Sequence, residues 1–169
     1  NRLVCLRVRV RMYVRAYLRA STKEQDALRA KDDLVQFAAS HGQKIATFYV
    51  ENESGATLVR PELMRLLEEA HEGDVILVEQ VDRLARLNND DWETLKQLLA
   101  EKKLAVVSQE LPTSTMALSA IDTDSFTQNM LRSVNNMMLD MLAAIARKDY
   151  EDRRRRQAQG IQRAQQEGK

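Results

Sequence analysis

The residues from Val4 to Leu18 alternate with a period of two, and this run constrains the fold more tightly than any other stretch of the 169-residue chain. Its even positions are Val4, Leu6, Val8, Val10, Met12, Val14, Ala16 and Leu18; its odd positions from Arg7 to Arg19 are all Arg or Tyr. A strand sends successive side chains to opposite faces, so this pattern predicts a half-buried β-strand. Fifteen residues at a strand's rise would run about 50 Å, too long for a small domain. The core strand is therefore expected from Met12 onward, with residues 1–11 an extension or artificially added sequence.

Helical and strand-like patterns then follow in turn. A helix is predicted over Thr22–Ser40, with Ala27, Leu28, Leu34, Val35 and Ala38 on one face, stopped by His41-Gly42. The β-branched and aromatic run Lys44–Glu51 reads as a second strand. Residues 52–59 are polar and contain Gly55, which predicts a mobile loop. Pro61 suits the first turn of a helix running to about Glu72, with Leu63, Leu66, Leu67 and Ala70 inward and Gly73 ending it. Val75–Val78 is continuously apolar, as in a central parallel strand covered on both faces. A helix over Asp90–Lys102, with Trp92, Leu95, Leu98 and Leu99 inward, leads to a fourth strand at Leu104–Ser108. The order βαβαβαβ predicts an α/β fold with a mostly parallel sheet flanked by helices.

The region Leu111–Asp124 reads as loop, with Asp124 able to cap a long helix that no breaker interrupts from Ser125 to Gln159. Such a helix is about 50 Å long or more and protrudes beyond one small sheet. Met130, Val134, Met137, Met138, Met141, Leu142 and Ile145 lie close to a heptad seam along it. Part of that stripe is expected in the core and the rest against a partner helix, for which Met is adaptable packing material. The expected division is a core over 12–124 and a long helix over 125–169 for oligomerisation and contact with a polyanion.

Composition narrows the function. Apolar residues make up 44% and charged residues 30%, a globular balance. One cysteine, Cys5, excludes an intrachain disulfide, and two isolated histidines, His41 and His71, sit at predicted helix ends rather than in a ligand cluster. No apolar run approaches the ~20 residues that span a bilayer. With no secretory signal visible, a cytoplasmic, nucleoid-associated location is expected. The net charge of +1 is uneven: residues 1–19 hold six Arg and no acid, residues 147–169 hold a net +4, and the body between carries −9. A basic end on an acidic body points to a polyanion partner, although a solvated, charge-rich helix end would have the same composition.

Open α/β sheets place their sites beyond the carboxyl ends of the strands. Arg19, Ser21 and Gln25 follow the first strand, Asp82, Arg83 and Arg86 follow the third, and Arg60 lies beside the loop after the second. Ser21-x-x-Glu24 also fits a capping box, so Ser21 has a structural reading as well as a chemical one. The cluster holds no His base for an acyl-transfer triad, and the chain has no Gly-rich phosphate loop. Several arginines around a serine suit a phosphodiester: they neutralise non-bridging oxygens, stabilise the charge of a pentacoordinate phosphorus and ease deprotonation of the serine.

These residues resemble the catalytic domain of the small serine recombinases, the resolvase/invertase family. The resemblance is carried by Tyr17-x-Arg19-x-Ser21-Thr22-x-x-Gln25, Arg60-Pro61-Glu62-Leu63, Gly73–Val78 and Asp82-Arg83-Leu84-x-Arg86, and it extends over about Met12–Gly168. It implies site-specific DNA recombination, with Ser21 as nucleophile and a 5′-phosphoserine intermediate. Arg19, Arg83 and Arg86 would hold the phosphate and Arg60 would be a further arginine brought in by its loop. Asp82 and Gln25 would orient groups or handle protons. It implies no cofactor, metal or ATP, double-stranded DNA as partner, and four subunits that exchange ends. In the basic half of the long helix, Arg147, Lys148, Arg153, Arg154, Arg155 and Arg156 would contact DNA, and the Met-rich stripe would form the dimer interface. Two features depart from the family: Asp149-Tyr150 stands where Glu-Arg is usual, and the Pro112–Asp124 segment differs in composition. Members usually continue into a helix-turn-helix domain, whose linker is expected to begin near Lys169. The readings weighed against recombination are a non-catalytic DNA-binding or regulatory relative and a phosphotransferase or phosphatase of a small substrate.

Overall fold

The structure is a computed structural model that describes residues 12–20, 24–52, 60–118 and 125–168. Its elements are β1 (Val14–Arg19), α1 (Glu24–Ser40), β2 (Ile45–Glu51), α2 (Pro61–Glu69), β3 (Val75–Val78), α3 (Asp82–Ala85), α4 (Asn89–Glu101), β4 (Ala105–Ser108), a 3-10 helix (Pro112–Leu118) and α5 (Ser125–Gln166). The strands form one parallel sheet in the order β2-β1-β3-β4. The α/β fold expected from the alternating patterns is therefore present. The order reverses between β1 and β3, which makes their carboxyl ends the switch point of the sheet.

Two apolar layers flank the sheet. Val14, Ala16 and Leu18 pack with Val75, Leu77 and Val107 beneath Ala30, Leu34 and Ala38 of α1. On the other face Tyr17, Tyr49, Ile76 and Val78 meet Leu63 and Leu66 of α2, Trp92 and Leu95 of α4, and Leu139 and Ala143 of α5. The alternation in β1 thus sorts two buried faces, not one buried and one wet. Arg15 is 7% exposed and Tyr17 is fully buried. Arg15 is tolerated because its Nε meets Asp74 Oδ2 at 2.9 Å and its Nη1 donates to Tyr49 Oη at 2.8 Å.

Several local expectations are corrected. Leu28 and Val35 of α1 are exposed, because α1 rests on the sheet through the narrow stripe Ala30, Leu34, Ala38. Helix α2 stops at Glu69, since Ala70 is already extended; Gly73, at φ +86°, belongs to a following turn in which the Asp74 carboxylate accepts from the His71 N–H. Part of the segment read as loop is the 3-10 helix, whose Ser114 and Leu118 are buried. The Asp124 cap, the residues 53–59, Cys5 and the extension 1–11 lie outside the described residues.

Helix α5 runs unbroken through Gly160 for 42 residues, about 63 Å at 1.5 Å per residue. Leu139 and Ala143 seat it on the core, with Met138 and Leu142 packed alongside. Asp140 fastens it to α4: its Oδ1 accepts from Trp92 Nε1 at 3.2 Å and lies 2.8 Å from Lys96 Nζ. Burial opposes the ionised Asp140, but the Lys96 and Trp92 hydrogen bonds outweigh it and hold the carboxyl below its ordinary value.

Candidate active site

Of the polar residues picked out by sequence, Arg19, Arg60, Asp82, Arg83 and Arg86 lie around the switch point. Arg19 ends β1, and the chain beyond it is pinned to β2 by the Ala20 N–H bonding to Glu51 O at 3.0 Å. Glu51, itself buried, accepts from the Glu62 and Leu63 N–H groups with one carboxylate oxygen and so caps α2 across the edge of the sheet. Pro61 occupies the first position of that helix, where its missing N–H costs nothing. Ser21 lies outside the described residues. Gln25 is placed by its backbone in the first turn of α1.

Beyond β3, the buried side chains of Val81, Leu84, Ala85 and Leu87 anchor the single turn α3. It carries Asp82 and Arg83, with Arg86 at its end. Asp82 Oδ2 and Arg86 Nη2 are 3.3 Å apart, both side chains about a third exposed. Asp82 Oδ1 and Arg83 Nε are buried with no hydrogen-bond partner among the described residues. Buried polar atoms are nearly always paired, so these two keep hydrogen-bonding capacity that no described residue uses.

Arg60, expected as a further arginine brought in by its loop, stands at the head of α2. It is 1% exposed, and its Nη1 donates to the carbonyls of Arg83 at 3.0 Å and Leu84 at 3.1 Å, while Nη2 donates to that of Arg86 at 3.1 Å. Burial is the main cause lowering its pKa, with the Arg19 charge acting in the same direction and Tyr17 and Glu51 opposing. It stays charged at any ordinary pH. Beside it Tyr17 Oη is buried without a partner among the described residues, and burial pushes that phenol up to about 12.

A groove of about 120 Å³ joins this cluster to the long helix, lined by Asp82, Arg86 and Glu110 on one side and Leu142, Ala146, Asp149, Tyr150 and Arg153 on the other. Glu110 escapes sequence reasoning, because its hydrogen bond to the Val81 N–H crosses 29 residues and no local motif announces it. Asp140 escapes for the same reason. Among the described residues no group of His, Cys, Asp and Glu could hold a metal ion, and no helix is long and apolar enough to cross a membrane.

The apolar stripe of α5 divides by face. Met138 and Leu142 turn to the core, whereas Met130, Val134, Met137, Met141 and Ile145 are exposed, as is Phe126 one turn earlier. Farther along, Lys148 and Arg153 to Arg156 are exposed, and Arg147 is half-buried with Nη1 unpartnered among the described residues.

Comparison with known proteins gives the family. The family model described as Resolvase, N terminal domain, matches residues 14–169. A resolvase of Escherichia coli is 38% identical over 157 residues, covering 92% of this chain and 69% of the relative. The Tn21 transposon resolvase, also of Escherichia coli, is 28% identical over 152 residues, covering 90% and 70%. Among solved structures, the N-terminal catalytic domain of TP901-1 integrase matches at 27% identity and a TM-score of 0.49, over 76% of this chain and 98% of that one. The chain belongs to the resolvase family of serine recombinases, and its activity is site-specific recombination of DNA.

Proposed function

We propose that Ser21 is the nucleophile of this recombinase and that Arg19, Arg83 and Arg86 form the phosphate site. Ser21 Oγ attacks the phosphorus; the bond from phosphorus to the 3′ oxygen breaks as the new bond to Oγ forms. The serine proton is taken up as the 3′ oxygen leaves with one, so a 5′-phosphoserine and a 3′-hydroxyl result. Rejoining is the same exchange reversed, with the 3′-hydroxyl of the new partner strand attacking, and the bond energy is conserved in the ester throughout. Asp82 and Gln25 serve as orienting or proton-handling groups, and Arg60 completes the arginine set from behind α3, whose carbonyls it holds.

The observation that carries this reading is the adjacency of β1 and β3, which brings Arg19 and the α3 residues to one corner while Asp82 Oδ1 and Arg83 Nε are buried and unpaired among the described residues. Fixed guanidiniums in such a corner stabilise developing phosphorane charge without reorganising at the moment of reaction.

The proposed working assembly is a homodimer on each site and a homotetramer when two sites are joined, acting at the nucleoid. Residues 12–124 form its catalytic core. The helix over 125–169 serves association through its exposed Met-rich stripe, and DNA contact through Arg147, Lys148, Arg153, Arg154, Arg155 and Arg156. The test uses full-length protein and a supercoiled plasmid bearing its crossover sites. A protein–DNA adduct that resists denaturant is expected with wild type and not with Ser21→Ala. Equal adduct yields from the two proteins would refute the assignment.

A further inference from the structure

We infer that Glu110 is a positioning residue for strand cleavage: with Arg60 it holds the two ends of α3, the single turn that carries Asp82, Arg83 and Arg86. The inference rests on the catalytic roles proposed above for those three residues. It begins from a weakness. A four-residue helix gains too few hydrogen bonds to offset the cost of nucleation, and its first N–H and last C=O groups have no partners within it. At the leading end, the Val81 N–H donates to Glu110 Oε1 at 2.6 Å. At the trailing end, the Arg60 guanidinium takes the carbonyls of Arg83, Leu84 and Arg86 at 3.0–3.1 Å. Both contacts are charge-assisted, an anion on the N–H end and a cation on the C=O end.

Glu110 stands on a rigid support. The turn after β4 closes with the Leu111 N–H on Ser108 O at 3.1 Å, and the buried Ser114 Oγ accepts from the Ser108 N–H at 2.9 Å and donates to Leu111 O at 2.6 Å. Ser108 Oγ donates to Glu79 O at 3.2 Å, and the Gln109 N–H donates to Val78 O at 3.2 Å, so the turn is bonded to the very end of β3 from which α3 departs. Glu110 also lines the groove shared by Asp82 and Arg86. A further carboxylate beside a phosphate site repels the substrate, so its presence needs a reason, and the hold on α3 supplies one.

A misplacement of about 1 Å at a reacting centre can cost about a hundredfold in rate. The test compares wild type with Glu110→Gln, which keeps an acceptor oxygen, and Glu110→Ala, which keeps none, all as full-length protein. Adduct formation at saturating supercoiled plasmid should fall a few-fold for Gln and about tenfold or more for Ala, with unchanged DNA affinity. Hydrogen exchange at the Leu84, Ala85 and Arg86 amides should quicken in Glu110→Ala while the sheet amides stay protected. Unchanged exchange in α3 would overturn the hold on that helix. An unchanged adduct rate, or an effect confined to affinity, would overturn the positioning role. Should wild type form no adduct, the catalytic reading falls by itself, and the exchange at α3 still decides whether Glu110 holds it.

Discussion

Arg15 Nε lies 2.9 Å from Asp74 Oδ2, and the pair is sealed in the sheet at the end of the strands opposite the active corner. Asp74 also accepts from the Tyr13 N–H at 3.1 Å and the His71 N–H at 2.8 Å, so one carboxylate joins β1, the turn after α2 and the start of β3. Breaking such a pair from one side leaves a buried charge without its counter-charge. Asp74→Ala is expected to lose about 3–5 kcal/mol of stability by denaturant titration. A loss under about 1 kcal/mol would mean the network is dispensable.

The Asp140 clasp makes the seating of α5 sensitive to acid. Its carboxyl is held below the ordinary 3.8, so the folded state binds fewer protons than the unfolded one in that range. The contribution is present above the unfolded value and is lost as the pH falls through the lower folded value. Trp92, the single tryptophan of the chain, reports on it directly. Its fluorescence should change as the pH drops below about 4. In Asp140→Asn that step should vanish, with a stability loss of about 1 kcal/mol or less, because the aspartate is half exposed.

Tyr17 gives the opposite sign. Burial, opposed by the Arg60 charge, puts its phenol at about 12, so the stability linked to its neutral form is whole below pH 10 and is lost as the pH rises toward 12. Its hydroxyl stands beside the Arg60 guanidinium but makes no hydrogen bond of good geometry among the described residues. Tyr17→Phe should therefore leave stability at neutral pH unchanged or raise it by about 1 kcal/mol, and should remove a late phase from the ultraviolet titration of the four tyrosines. A destabilisation of more than about 2 kcal/mol would reveal a bond to that oxygen.

Exposed apolar side chains at positions 126, 130, 134, 137, 141 and 145 of α5 follow helical spacing down one face. Met137→Glu and Met141→Glu should shift self-association to at least tenfold higher concentration in sedimentation experiments, with no loss of thermal stability in the monomer. Met138→Glu should behave differently, since Met138 packs on the core and its substitution should unseat the helix. Identical behaviour of the three variants would remove the distinction drawn between the two faces.

The sequence carried the fold well because its signals are local. Period two in β1, the four apolar residues of β3, Pro61 and Gly42 each act within a few residues. What stayed hidden depends on contacts between distant segments. Alternation cannot tell a wet face from one buried around Arg15 and Tyr17, since only Asp74 and Tyr49 make that burial possible. Leu28 looked inward because apolar spacing ignores how small Ala30 and Ala38 are and how they set the contact line. Of the candidate corner, Ser21 lies outside the described residues, whereas Arg19, Asp82, Arg83 and Arg86 were legible as residues at strand ends. The capping of α3 by Arg60, and the hydrogen bond of Glu110 to it, were not, because neither partner lies within twenty positions of the other.

Helix α5 also acts as a pointer. From the Asp140 clasp to Gln166 it extends about 39 Å, and beyond Asp152 its residues are all exposed. A tilt of about 10° at the clasp sweeps the far end through about 7 Å, close to two base-pair steps of B-form DNA. With the DNA contacts proposed for the distant arginines, the two hydrogen-bonding groups that grip one carboxylate, Trp92 and Lys96, would set where along a duplex those arginines land.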